Sequence, residues 1–178
     1  MPQQTPNVFT YPRNEPGTTG HLDLVEPLRA LPRDLIETLR GISEEEARFR
    51  SPDGGWCIKE ILGHLRDAAE VYHKRLYMMS TQTDPLLEPY DQEAFVTEHK
   101  YLRRDIAAMV GELREWRADT VQLLTTLVNW NWARTGRHPE SGRRSIRQMV
   151  EHMVEHEGEH LADIRGLRAL AATARGDE

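Results

Sequence analysis

The chain of 178 residues contains a single cysteine, Cys57. An intrachain disulfide is therefore excluded, and nothing in the sequence calls for an oxidising compartment. Apolar runs long enough to span a bilayer are absent, so no transmembrane helix is expected. Basic residues are outnumbered: 23 Lys and Arg stand against 29 Asp and Glu, a formal net charge of −6. That sign repels phosphate backbones, and the basic clusters are short, as at Arg143-Arg144, so nucleic acid is not an expected partner. Alternating apolar and polar runs bounded by turn residues are nearly absent, which argues against strands. There is no internal repeat. Residues 1–20 are polar, rich in Pro, Thr, Asn and Gly, and have no apolar stretch of the kind a secretory leader needs. They read as a flexible N-terminal arm. The expectation is a cytoplasmic chain without a membrane partner.

What is present is helical periodicity. Hydrophobic residues make up 38% and charged residues 29%, a balance suited to amphipathic helices in one domain, expected over 21–172 with a tail at 173–178. Val25, Leu28, Leu31, Leu35 and Leu39 stripe a first helix, about Leu22 to Arg40, which Pro27 and Pro32 are expected to kink or divide. Ser43 with Glu46 forms a capping box for a short turn. A second helix runs from near Cys57 to Met79, with Ile61, Leu65, Ala68, Tyr72 and Leu76 inward. A long connection, Ser80 to Tyr90, follows. In a third, Leu102, Ile106, Met109, Leu113, Trp116, Thr120, Leu123 and Leu127 make a heptad seam. Asn129 to Arg144 reads as a loop. Ser145 and Gln148 cap a fourth helix, about Ile146 to Leu170. Four long helices with one long crossover define an all-α four-helix bundle.

Histidines carry the chemistry. With His156 as zero on a helical wheel, His160 lies at about +40°, among Met149, Leu167, Met153 and Ile164 at about +20° to +80°. Two imidazoles one turn apart thus share a stripe that must face the core. Each buried neutral ring needs two hydrogen-bond partners, which this apolar lining does not offer. A metal ion takes one nitrogen of each and an acceptor takes the other. The competing readings are a pair of satisfied core histidines, or histidines at the solvent end of the bundle. His64 falls between Ile61 and Leu65 on the inner face of the second helix, and would make a three-histidine set with one position open. His73, nine residues on, points away and should be solvated. Glu60, Asp67 and Asp163 lie one turn from the histidines, and these with Glu157 are candidate pocket residues or acceptors for their N–H groups. His152 belongs at the pocket edge. His21, His99 and His138 show no inward spacing.

His156-Glu157-Gly158-Glu159-His160 also spells the metalloprotease signature, with Glu157 as general base. The polar intervening turn, the lack of a further histidine within Leu161–Gly166 and the lack of strands to bind a peptide argue against a protease. Cys57, at the start of a helix, is placed where the dipole lowers a thiol pKa, although a small semi-buried residue is the plainer reading.

Four segments resemble the DinB/YfiT-like superfamily: Gly55-Trp-Cys-Ile-Lys-Glu-Ile-Leu-Gly-His64, Trp116-Arg117, Trp132-Ala-Arg-Thr-Gly-Arg-His138 and His152-Met-Val-Glu-His156-Glu-Gly-Glu-His160. The resemblance spans about residues 22 to 170. It implies an up-down-down-up bundle, a homodimer, and one divalent ion held by His64, His156 and His160. Nickel or zinc is favoured, with manganese or iron as alternatives. Cys57 stands where the family motif usually has Ser. The activities implied, on a small-molecule substrate, are thiol S-transferase-like, with a low-molecular-weight thiol as cosubstrate, or hydrolase-like. The alternative is a non-catalytic metal-binding bundle acting as a stress or interaction protein.

Overall fold

A computed structural model describes residues 21–176; the expected arm at 1–20 lies outside these. The helices are α1 (Leu22–Thr38), α2 (Glu44–Arg48), α3 (Ile58–Thr81), α4 (Gln92–Glu98), α5 (Ile106–Thr126) and α6 (Ile146–Gly176). The four long ones, α1, α3, α5 and α6, form the bundle. α3 packs on α5 and α6, and α1 packs on the same two from the other side. Arg66 meets Glu112 and His73 meets Thr120, so α3 and α5 run parallel. His64 meets His156 while Tyr72 meets His152, so α3 and α6 run antiparallel. His21 reaches Arg147 and Thr38 reaches Arg165, so α1 and α6 run parallel. The order is up-down-down-up. Two consecutive parallel helices need a crossover the length of the bundle, and residues 82–105 supply it.

The capping chemistry holds. Ser43 and Glu46 exchange hydrogen bonds at the start of α2, and Ser145 and Gln148 do so at the start of α6. Asp105 caps α5 by accepting from the Ala108 N–H at 2.8 Å. Pro27 and Pro32 do not divide α1, which is one helix with both inside it. Each proline removes one backbone bond, and burial of Val25, Leu28, Leu31 and Leu35 on the neighbouring helices offsets that loss.

Three features differ from the sequence expectation. The crossover holds a short helix, α4, whose N-terminus Asp91 caps. The 129–144 segment is not all loop. Thr135–His138 (β1) and Gly142–Ser145 (β2) pair antiparallel, with His138 opposite Gly142. Gly142 has φ +74, which suits the left-handed residue closing a three-residue hairpin loop. Neither strand shows apolar alternation, because the hairpin packs at only a few positions. One of them is Gly136, where a Cβ would press on Met79 and Leu87 at 3.0 to 3.1 Å. Finally, α6 continues as helix to Gly176, into the expected tail.

The interior has two apolar clusters. One gathers Leu35, Ile61, Leu65, Leu113 and Ile164; the other gathers Leu28, Leu76, Leu124, Val150 and Met153. Arg117, Thr120 and Glu157, all buried, fall between them along α5 and α6. The heptad expectation for α5 holds only in part in its second half: Thr120 is buried, and Trp116, Leu123 and Leu127 pack on the core from partly buried positions. Arg117, Val121 and Leu124 are buried there. A straight α-helix drifts about 20° per heptad away from a 3.5-residue repeat, so the inner face moves one residue along. Among the described residues no helix is long and apolar enough to cross a membrane.

Candidate metal centre

The three histidines converge. One ring nitrogen each of His64, His156 and His160 lies within 4.8 Å of the others. The rings stand nearly perpendicular in pairs: 73° for His64 and His156, 76° for His64 and His160, 86° for His156 and His160. α3 supplies His64, which is 1% exposed, and α6 supplies the half-buried pair. Trp56, just before α3, walls the cluster. Its ring centroid is 5.0 Å from that of His64 and 6.4 Å from that of His160.

The donor set fits a divalent ion. Burial, reinforced by the neighbouring imidazoles, pulls His64 down to about 3 and His156 to about 4. Neutral rings are the form that ligates. Nε2 of His64 lies 2.9 Å from Nε2 of His156, so without an ion one ring must donate to the other. Nδ1 of His156 is buried with no hydrogen-bond partner. Three imidazoles with such unmet valence suit zinc, nickel, copper or iron better than magnesium or calcium.

The surrounding groups are placed differently from the sequence expectation. Tyr90, within the crossover just before α4, puts its hydroxyl 3.2 Å from Nδ1 of His64. Asp163 Oδ2 lies 3.3 Å from Nδ1 of His160. Asp67 is buried but does not bond a cluster histidine. It accepts from Tyr101, from Arg66 at 2.6 Å and from His99 at 2.5 Å. Glu60 is turned away: it accepts from the Cys57 N–H at 2.9 Å and from Arg50 at 2.6 Å, closing the α3 capping box. Glu157 is paired with Arg117 in the polar layer, so the glutamate of the protease-like motif does not face the site. His152 is exposed, 5.8 Å from His156 between ring centroids, and outside the ligand set.

His73 points away from the cluster as the wheel requires, but it is half-buried against Trp116 and Thr120, not solvated. Cys57 is fully buried, and that burial pushes its thiol up, against the dipole expectation. His21 stacks on Trp132, and His138 sits on the hairpin. Sequence reasoning missed Tyr90 and Trp56 as wall residues. Both lie outside long helices, where no periodicity marks an inward face.

Among the described residues, one cavity is lined by a cluster histidine and another lies beside Tyr72, next to His156. One, of about 700 Å³, runs past Trp56, His160 and Leu167. The other, of about 640 Å³, is lined by Tyr72, Arg75, His138 and His152. A cavity of about 810 Å³ between α1 and α5 contains none of the histidines.

An up-down-down-up bundle with three inward histidines defines the class, and comparison gives the family. The profile of the DinB superfamily matches residues 28–164, and the chain belongs to that superfamily. A protein of Oceanobacillus iheyensis named "Putative metal-dependent hydrolase" is 29% identical over 146 residues, covering 80% of this chain and 83% of its own. YfiT of Bacillus subtilis, which carries the same name, is 23% identical over 117 residues, 66% of each chain. The solved structure of YfiT, described as having "an unusual four-helix bundle topology", superposes with a TM-score of 0.82 at 21% identity, over 91% of this chain and 93% of that one.

Proposed function

We propose that the protein is a metal-dependent enzyme acting on a small molecule, hydrolytic in its chemistry, with His64, His156 and His160 holding one divalent ion. The observation that carries this reading is the convergence of three imidazoles, one of them with an orphaned ring nitrogen, beside two cavities. Among the described residues no fourth Asp, Glu, Cys or His joins the cluster. Three protein ligands are the pattern of a site that keeps a position for water or substrate. A divalent ion bound there supplies Lewis-acid polarisation and lowers the pKa of a coordinated water. The chain's own residues set the frame. Tyr90 fixes the orientation of His64, and Asp163 that of His160. Trp56 keeps bulk water from one side.

The hydrolytic form is favoured by the names of the relatives. The thiol-transferase form has no separate support from them, and the two forms part in one experiment. Untagged protein is equilibrated with zinc, nickel and manganese, freed of excess ion and assayed for metal by mass spectrometry. One ion per chain is expected, falling to background in His64→Ala with folding intact. Ester and amide hydrolysis is then compared with conjugation of bacillithiol, mycothiol and glutathione. Metal-free protein after all three equilibrations overturns the reading. Conjugation without hydrolysis replaces the hydrolase by the transferase. A closed, inert ion leaves the non-catalytic bundle.

A further inference from the structure

Arg75 lies on α3 in the cavity beside the histidine cluster, and it has no acidic partner among the described residues. Its Nη2 donates to the Glu88 carbonyl at 2.5 Å and lies 3.3 Å from Nε2 of His138. Its Nε is buried with no partner at all. A half-buried guanidinium without a counter-charge is costly, and burial pulls its pKa below the ordinary value.

The contact with His138 does not relieve it. Nδ1 of His138 faces the backbone N–H groups of Glu140 and Ser141, each at 3.3 Å, and so acts as an acceptor. With Nδ1 accepting, Nε2, the nitrogen facing Arg75, is left as the N–H donor of the ring. Two donors confront each other with no acceptor between them. The Tyr72 hydroxyl, in the same cavity, has no hydrogen-bond partner among the described residues, and its ring lies beneath the Arg75 guanidinium at 6.0 Å. The same ring is 6.4 Å from that of His156, so the cavity adjoins the candidate metal centre. The acidic residues on this cavity are exposed at its wall: Glu151 is tied to Arg147 at 2.8 Å, and Glu155 does not pair with Arg75.

We propose that this cavity is an anion subsite: Arg75, His138 and Tyr72 receive a carboxylate or phosphate group of the substrate and thereby present the rest of that molecule to the three histidines. The placement of the reacting end rests on the proposed metal-dependent function; anion binding itself does not. The class of substrate is thus a small molecule with an acidic group at one end.

The test uses the metal-free full chain at pH 7, titrated with benzoate, phenyl phosphate and neutral benzamide, and followed by calorimetry and by the His138 imidazole resonances. Saturable binding of at least one anion is expected, with His138 shifting and benzamide silent. Arg75→Gln should weaken binding by about tenfold or more, the loss of one charge-assisted hydrogen bond, and Arg75→Lys should recover part of it. A preference between the two probes assigns carboxylate or phosphate. If Arg75→Gln does not fold, the wild-type His138 shift on saturation decides. No saturable anion binding, equal binding of benzamide, or binding that leaves His138 and Arg75→Gln unaffected overturns the proposal. Because no metal is present, failure here is separate from failure of the metal-content experiment.

Discussion

Neutralising Glu157 distinguishes a structural glutamate from a catalytic one. Glu157 and Arg117 are 5% and 1% exposed and pair across the bundle interior. Their valences are only partly met: Arg117 Nε and Nη1 and Glu157 Oε2 have no partner. Burial pushes the Glu157 carboxyl upward even though Arg117 pulls the other way. Glu157→Gln leaves the guanidinium in the interior without its counter-charge, at a cost of about 3–5 kcal/mol. Against a typical stability of about 5–15 kcal/mol, that is a large fraction. With a urea slope of about 2 kcal/mol/M it moves the midpoint down by roughly 2 M. Arg117→Met alone should cost about as much, because it strands the carboxylate instead. The double variant Arg117→Met/Glu157→Met should return to within about 1 kcal/mol of wild type, or exceed it, since it removes two incompletely satisfied ions together. Urea unfolding of the four proteins, with metal content measured on each, is the assay. A catalytic base facing the metal gives the opposite pattern: Glu157→Gln unfolding like wild type, retaining metal and losing turnover. That result would refute the placement of Glu157.

Three further outcomes follow from named contacts. Metal-free protein should lose stability in mild acid: His64 titrates near 3 folded and near 6.5 unfolded, so between pH 7 and 5 only the unfolded chain takes up its proton. The contribution of His64 is about 2 kcal/mol over that window, and urea midpoints at pH 7, 6 and 5 should show a slope that flattens in His64→Gln. Gly63→Ala places a Cβ 2.2–2.7 Å from the Tyr101 ring, so the ring must leave. Because Tyr101 bonds Asp67, the variant should be destabilised by about 1–3 kcal/mol, and an unchanged melting curve counts against the packing. Tyr90→Phe should keep the fold but weaken metal binding by about tenfold, read by competition with a chelating dye, since it removes the hydroxyl beside His64.

The bundle and the histidine trio were legible because both are written in helical periodicity. His64, His156 and His160 sit at fixed angles on helices whose inner faces are marked by Leu, Ile and Met. The hairpin was not legible: Thr135–His138 and Gly142–Ser145 pair through backbone bonds and a glycine contact, with no alternation to betray them. Nor was the role of Asp67, whose partners Tyr101 and His99 arrive from the crossover, 32 or more residues away. Long-range polar contacts leave no local pattern. Pro27 and Pro32 misled in the other direction, because tertiary burial overrides a local propensity.

The helical wheel held more than the sequence reading drew from it. Measured from His156, the buried residues of α6 include Met153 and Ile164 at about 60–80°, Glu157 at about 100°, Val150 at about 120° and Leu161 at about 140°. The centre of that stripe is near 80°, not near the histidines. Glu157 therefore points at the bundle axis, where Arg117 meets it, and the pair at 0° and about 40° occupies one shoulder, toward α3. A histidine at the centre of the stripe would be sealed in the core. On the shoulder the pair reaches His64 on one side, and His160 lines the cavity beside Trp56. The angular offset that removes Glu157 from the cluster is the same one that leaves His156 and His160 half-buried instead of sealed in the core.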